Sequence, residues 1–148
     1  MAHFDIEFPE DLLSELLDSD VDEIAEAALR DASPIMEESM KKSCQMVIDH
    51  EGDSEMLKSI KAGAPVKAKN GAWIVNVSPR GYSKTKIYHH KKTKREYPVS
   101  NALKMIWKEY GIAGQQAPKP FIQAAVNAAR DKAVAAMQKP YNKKVGAE

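Results

Sequence analysis

Between Arg80 and Tyr97 the chain carries Arg80, Lys84, Lys86, Lys91, Lys92, Lys94 and Arg95, interleaved with Tyr82, Tyr88 and Tyr97. Cations neutralise phosphates and aromatic rings stack on bases, so this is the composition of an arm that contacts nucleic acid. The plainer reading is a solvated loop kept soluble by its lysines, and no nucleic-acid-binding motif accompanies the stretch. His89 and His90 are adjacent, and neighbours on an extended strand point to opposite faces, which makes a poor chelating pair. Cys44 and His50 lack any C-x-x-C or H-x-x-x-H partner spacing, so no metal and no cofactor is expected. There is no Gly-rich phosphate loop, nucleophile elbow or H-E-x-x-H run. The acids fall on the polar faces of helices, where Asp and Glu normally sit, so no catalytic residue is assigned and the chain is not expected to be an enzyme.

The elements that must position these groups fit within 148 residues, enough for one domain with its own core. No run of about 18 apolar residues is present to span a membrane, and Met-Ala-His-Phe-Asp at the start lacks the pattern of a secretory leader. The single cysteine, Cys44, excludes an internal disulfide and lies on an apolar helical stripe, which favours a buried thiol over a nucleophile. Net charge is +1, yet residues 1–38 hold thirteen of the 21 acids and one base, Arg30. This split fits either two solvated faces of one molecule or an acidic end that meets the basic end of a neighbour.

From Asp20 to about His50, Val21, Ile24, Ala25, Ala28, Ala32, Ile35, Met36, Met40, Cys44 and Val47 recur at three- and four-residue steps, the period of an amphipathic helix. Asp20 and Glu23 resemble a capping box for it. Pro34 either kinks this helix or, with Ser33 as cap, starts a second one; the continuous stripe favours one kinked element. Ahead of it, Pro9 and Leu12, Leu13, Leu16 and Leu17 describe a short helix within residues 1–19. Ser54–Lys61 reads as a helical turn entering a strand. Asn70-Gly71, flanked by Pro65–Lys69 and Ala72–Ser78, predicts a hairpin with a type I′ turn, with Trp73, Val75 and Val77 on one face. A third strand follows around Ile87-Tyr88, with a mobile loop beyond it. Ser100 caps a helix that Gly111 ends, its buried face formed by Leu103, Ile106, Trp107 and Tyr110. Pro120 opens a last helix through Phe121, Ile122, Ala125, Val126, Ala129, Ala133, Val134 and Met137, ended by Lys139-Pro140 before a loose tail at 139–148. Trp73 and Trp107 are core or interface anchors. The sum is a single α+β domain over 1–148, in which a long N-terminal helix and a C-terminal helix pack on a small antiparallel sheet.

Five segments resemble one family. They are Ile24–Met40; Gly52-Asp53-Ser54 with Met56-Leu57-Lys58-Ser59-Ile60; Val75–Gly81; Ala102 with Trp107-Lys108-Glu109-Tyr110-Gly111; and Ala117-Pro118-Lys119-Pro120-Phe121-Ile122. Together they resemble the small tail-component or neck proteins encoded between the head and tail genes of long-tailed double-stranded DNA phages. The resemblance covers most of residues 20–138 and makes Glu109, Tyr110, Gly111, Pro120 and Phe121 signatures of the fold rather than active groups. It implies a non-enzymatic virion protein of the head–tail junction or tail, assembled in the host cytoplasm. Its partners would be other neck and tail proteins and further copies of itself in a ring, with no membrane involved. The loop cations at 80–95 would then face a neighbour or a lumen through which DNA passes, and assembly would be salt-sensitive.

Overall fold

The computed structural model describes residues 21–49 and 53–146. The expected short helix within 1–19, the Asp20 cap and the break at His50–Gly52 lie outside the described residues. The architecture is α+β. Helix α1 (Val21–Val47) and helix α4 (Ile122–Val145) are long. Between them lie the short α2 (Ser54–Ser59), α3 (Asn101–Tyr110) and six strands. The strands are β1 (Ile60–Ala62), β2 (Val66–Lys67), β3 (Trp73–Ile74), β4 (Val77–Pro79), β5 (Tyr82–His89) and β6 (Glu96–Ser100).

Helix α1 runs through Pro34 as one element. Proline has no N–H to give the Arg30 carbonyl, and the Ser33 hydroxyl donates to that oxygen instead, at 3.1 Å. α1 packs antiparallel against α4, with Glu23 ion-paired to Lys144 at one end and the Ser39 hydroxyl donating to the Ala125 carbonyl near the other. The seam is small: Ala28 and Ala32 face Ala129, Ala133 and Ala136, all buried. Alanine side chains let the two helices approach closely and lose no rotamer entropy on burial. Where the seam meets the sheet, Met40, Cys44, Met56, Ile60, Phe121 and Ala125 form the core. Cys44 is fully buried there, and burial pushes its thiol pKa up to about 11, so it is a core residue and not a reactive one.

Three expectations need correction. The single small sheet is three separate two-stranded antiparallel ladders, β1–β4, β2–β3 and β5–β6. Pro65 offers no N–H to a ladder, and the first hairpin divides about it into β1–β4 and β2–β3, so Trp73, Val75 and Val77 share no continuous strand. The turn at Asn70-Gly71 is not type I′: only Gly71 has positive φ, +87°. Gly71 N–H donates to Ala68 O and Ala68 N–H to Ala72 O, which is a three-residue loop with a glycine bulge. Finally, α4 does not stop at Lys139-Pro140 but continues to Val145, and Lys144 reaches Glu23. The expected loose tail is therefore helix up to that point.

Candidate assembly surface

Helix α3 begins and ends as its sequence requires. The Ser100 hydroxyl accepts from Leu103 N–H at 3.1 Å, and Gly111 at φ +77° ends the helix. Its orientation is the opposite of the one expected. Leu103, Ile106 and Tyr110 are exposed, Tyr110 by 71%, while Asn101, Lys104 and Lys108 are buried. Carboxylates beneath the helix account for this. Lys108 Nζ lies 2.9 Å from Asp53 and 3.2 Å from Asp49, and Lys104 lies 3.8 Å from Glu55. Burial works against the Lys108 charge, but Asp53 and Asp49 outweigh it and hold its pKa above the ordinary lysine value. Lys119 and Lys108 together hold Asp49 below the usual carboxylate range. The backbone N–H of Lys84, against an opposing desolvation, does the same for Glu55, with help from the Ser83 hydroxyl.

The segment that follows α3 folds back on it. The Glu109 carboxylate accepts from Phe121 N–H at 2.8 Å and Ile122 N–H at 3.1 Å, so the end of α3 caps the start of α4. Gly111 is required twice over. Its φ is positive, and a Cβ there would lie 2.6 Å from Gln116 O and 2.8 Å from Pro118 N. Phe121 is buried in the core as the cap position of α4; Pro120 precedes it, exposed, two residues before the first helical residue. Of the five signature residues, Glu109, Gly111 and Phe121 thus hold α3 to α4, while Tyr110 points outward.

The expected strand around Ile87-Tyr88 is β5, and the segment beyond it returns as β6 rather than as a loop alone, so the basic stretch is a ribbon. Tyr88 lies opposite Tyr97 and His89 opposite Glu96. His90 and Arg95 close a four-residue tip: His90 N–H donates to Arg95 O and Lys94 N–H to His90 O. His89 Nδ1 lies 3.1 Å from Glu96, and His90 Nδ1 accepts from Thr93 N–H, so the two rings serve the ribbon separately. Among the described residues no group of three or more His, Cys, Asp or Glu side chains is placed to hold a metal. The ribbon gathers Lys91, Lys92, Lys94 and Arg95 at its tip and separates them from the other three cations. Arg80 is taken up at the base, where its guanidinium donates to Ala62 O and its backbone to Ser59 O. Lys84 sits beside Glu55. Lys86 Nζ lies 5.1 Å over the Trp107 ring, which ties the ribbon to the outward side of α3.

Two further features were open to a chemical role. An apolar cleft between α1, α4 and the Trp73–Val77 segment is lined by Leu29, Met36, Met40 and Met137 and contains no titratable side chain. Trp73 borders it, and its indole N–H donates to Asp22, which Lys67 also pairs. Much of the acidity of α1 is answered in the same way: Glu23 by Lys144, Glu26 by Arg30, Glu38 by Lys42, Glu37 by Lys41 and the Ala62 N–H. No helix among the described residues is long and apolar enough to cross a membrane. No family model, curated protein or solved structure matches the chain.

The outward turn of α3 was not visible in its own residues, because the i, i+3, i+4, i+7 spacing marks a face without saying what covers it. A signal did exist. Lys104 and Lys108 stand at i, i+4 on the opposite face, and Asp49, Asp53 and Glu55 cluster after α1. Matching those two sets would have placed the lysines inward.

Proposed function

We propose that this chain is a structural component of a tailed phage particle that acts in head–tail joining or tail completion, as one subunit of an oligomeric ring and without catalysing a reaction. The observation that carries this reading is the outward face of α3. Leu103, Ile106 and Tyr110 stand in solvent on a helix whose other face is locked down by Lys104 and Lys108. An apolar helix face held outward by buried ion pairs suits coverage by another chain. The resemblance to neck and tail-completion proteins supplies the setting. Glu109, Gly111 and Phe121, its signature residues, hold together the two helices on which that face depends.

The test is to purify particles from cells carrying the parent phage genome and quantify the chain in them by mass spectrometry. The expected result is a fixed small copy number per particle, with particles lacking joined tails when the gene is deleted. Tailed, infectious particles formed without the chain would overturn the proposal.

A second reading, nucleic-acid binding by the ribbon, is favoured by one observation. None of Lys86, Lys91, Lys92, Lys94 and Arg95 has an ion-pair partner among the described residues, and Tyr88 and Tyr97 are half-exposed beside them. A DNA shift assay across a salt series separates the two. Tight, steeply salt-dependent binding that is lost on neutralising the tip lysines would favour the second reading over the first.

A further inference from the structure

The outward face of α3 and the ribbon beside it form one surface, apolar along the helix and basic along the ribbon, joined where Lys86 covers Trp107. The complementary surface is not found on α1, whose acids are largely paired within the chain. It is found in the sequence of residues 1–20. These carry seven acids and no lysine or arginine, together with Leu12, Leu13, Leu16 and Leu17 at the spacing of one helical face.

We propose that the α3 face and its basic ribbon receive the acidic, leucine-bearing segment 1–20 of a neighbouring copy of this chain. Leucines of that segment would lie along Leu103, Ile106 and Tyr110, with its acids turned to the cations of the ribbon. This is the helix-on-apolar-face mode, in which apolar anchors give affinity and opposite charge gives orientation and capture rate.

The segment of the same chain cannot fill this role. Leu17 is four residues from Val21, at most about 14 Å of extended chain, and on the helix that the leucine spacing describes the five residues back to Leu12 add about 8 Å, so every leucine of the segment stays within about 22 Å of Val21. α1 rises about 24 Å from Val21 to Glu37 and about 40 Å to its far end. It is beyond Glu37, toward that far end, that α3 is anchored, by Lys108 on Asp49. The donor is therefore a second molecule. Each copy then offers its segment at one end of α1 and its receiving face at the other, a heterologous contact that repeats from copy to copy and closes into a ring if the rotation allows. This inference deepens the assembly reading and rests on it for its setting, but the contact is open to test with the chain alone.

The test is fluorescence anisotropy of a labelled peptide of residues 1–20, titrated with the full-length chain at concentrations where sedimentation shows it monomeric. Saturable binding is expected, weakening as salt rises from about 50 to about 300 mM as the ribbon charges are screened. The pair Ile106→Ser and Tyr110→Ser, folded by circular dichroism, should lower affinity at least about tenfold. The pair Lys91→Glu and Arg95→Glu, far from the helix, should lower it at low salt and much less at high salt. A scrambled peptide of the same composition should bind at least about tenfold more weakly, since it keeps the charge and loses the leucine face. Absence of saturation, equal binding to the scrambled peptide, or undiminished binding to the α3 variant would each overturn the proposal. If the peptide fails while the chain is present in particles, the contact is wrong and the assembly reading stands; if it binds while particles lack the chain, the reverse holds.

Discussion

Helices α1 and α3 are built from the same kind of residues and settle into the molecule in opposite ways. α1 buries Ile24, Ala28, Ala32, Met40 and Cys44 and leaves most of its charges exposed. α3 buries two lysines and an asparagine and leaves leucine, isoleucine and tyrosine outside. The difference lies in what each helix finds beneath it. α1 meets the alanines of α4, whose small side chains let its apolar face come close. α3 meets Asp49, Asp53 and Glu55, which can be desolvated only with cations beside them. One seam stabilises the monomer; the other fixes an apolar face where a second chain can use it.

The largest expected effect comes from breaking the ion pairs under α3. Lys108→Ala leaves Asp53 beneath the helix without its cation, and a loss of about 3–5 kcal/mol is expected, read as a lowered urea midpoint. Lys108→Met, which fills the space without the charge, also leaves Asp53 unpaired and should be almost as damaging; Lys108→Arg should recover part of the loss. Next is the joint between the helices. Gly111→Ala places a Cβ against Gln116 O and Pro118 N at positive φ, and about 2–3 kcal/mol should be lost in thermal or urea unfolding. Within the alanine seam, Ala129→Leu overpacks a buried site and should cost about 1–3 kcal/mol by the same measurement.

The pH dependence follows from both regions. Glu37, Asp49 and Glu55 have pKa values lowered by folding, so their contribution is present above the ordinary carboxylate range and is lost as pH falls through their folded values. Lys108 is raised, so its contribution is present at neutral pH and is lost only as pH rises through that folded value. Unfolding midpoints should therefore fall on the acid side first, and Glu37→Gln should flatten that acid limb by removing one of the lowered groups. The smallest effect on stability belongs to the outward face. Ile106→Ser should shift the monomer's stability by less than about 0.5 kcal/mol while weakening the proposed contact with segment 1–20, a separation of effects that no seam substitution would show.

Much of the fold was legible because it depends on local chemistry. The stripe of α1, the Ser100 cap, the Gly111 stop and the run into Phe121 each carry their cause within a few residues. What was not legible depends on pairings distant in sequence. The inward turn of Lys104 and Lys108 is decided by acids about fifty residues earlier, and the continuation of α4 past Pro140 is accompanied by the pairing of Lys144 with Glu23 at the start of α1. The ribbon lay between these extremes: β5 was visible around Ile87-Tyr88, but β6 was hidden by Pro98, which sits opposite Ile87 in the ladder.

The most direct measurement is covalent surface labelling of Tyr110, read by mass spectrometry in the free chain and in purified particles. Tyr110 is expected to be modified readily in the free chain and strongly protected once assembled, with Tyr141 on α4 as an internal reference. A Tyr110 protected in the monomer would place α3 the other way round, and one equally reactive in particles would mean that nothing covers this face.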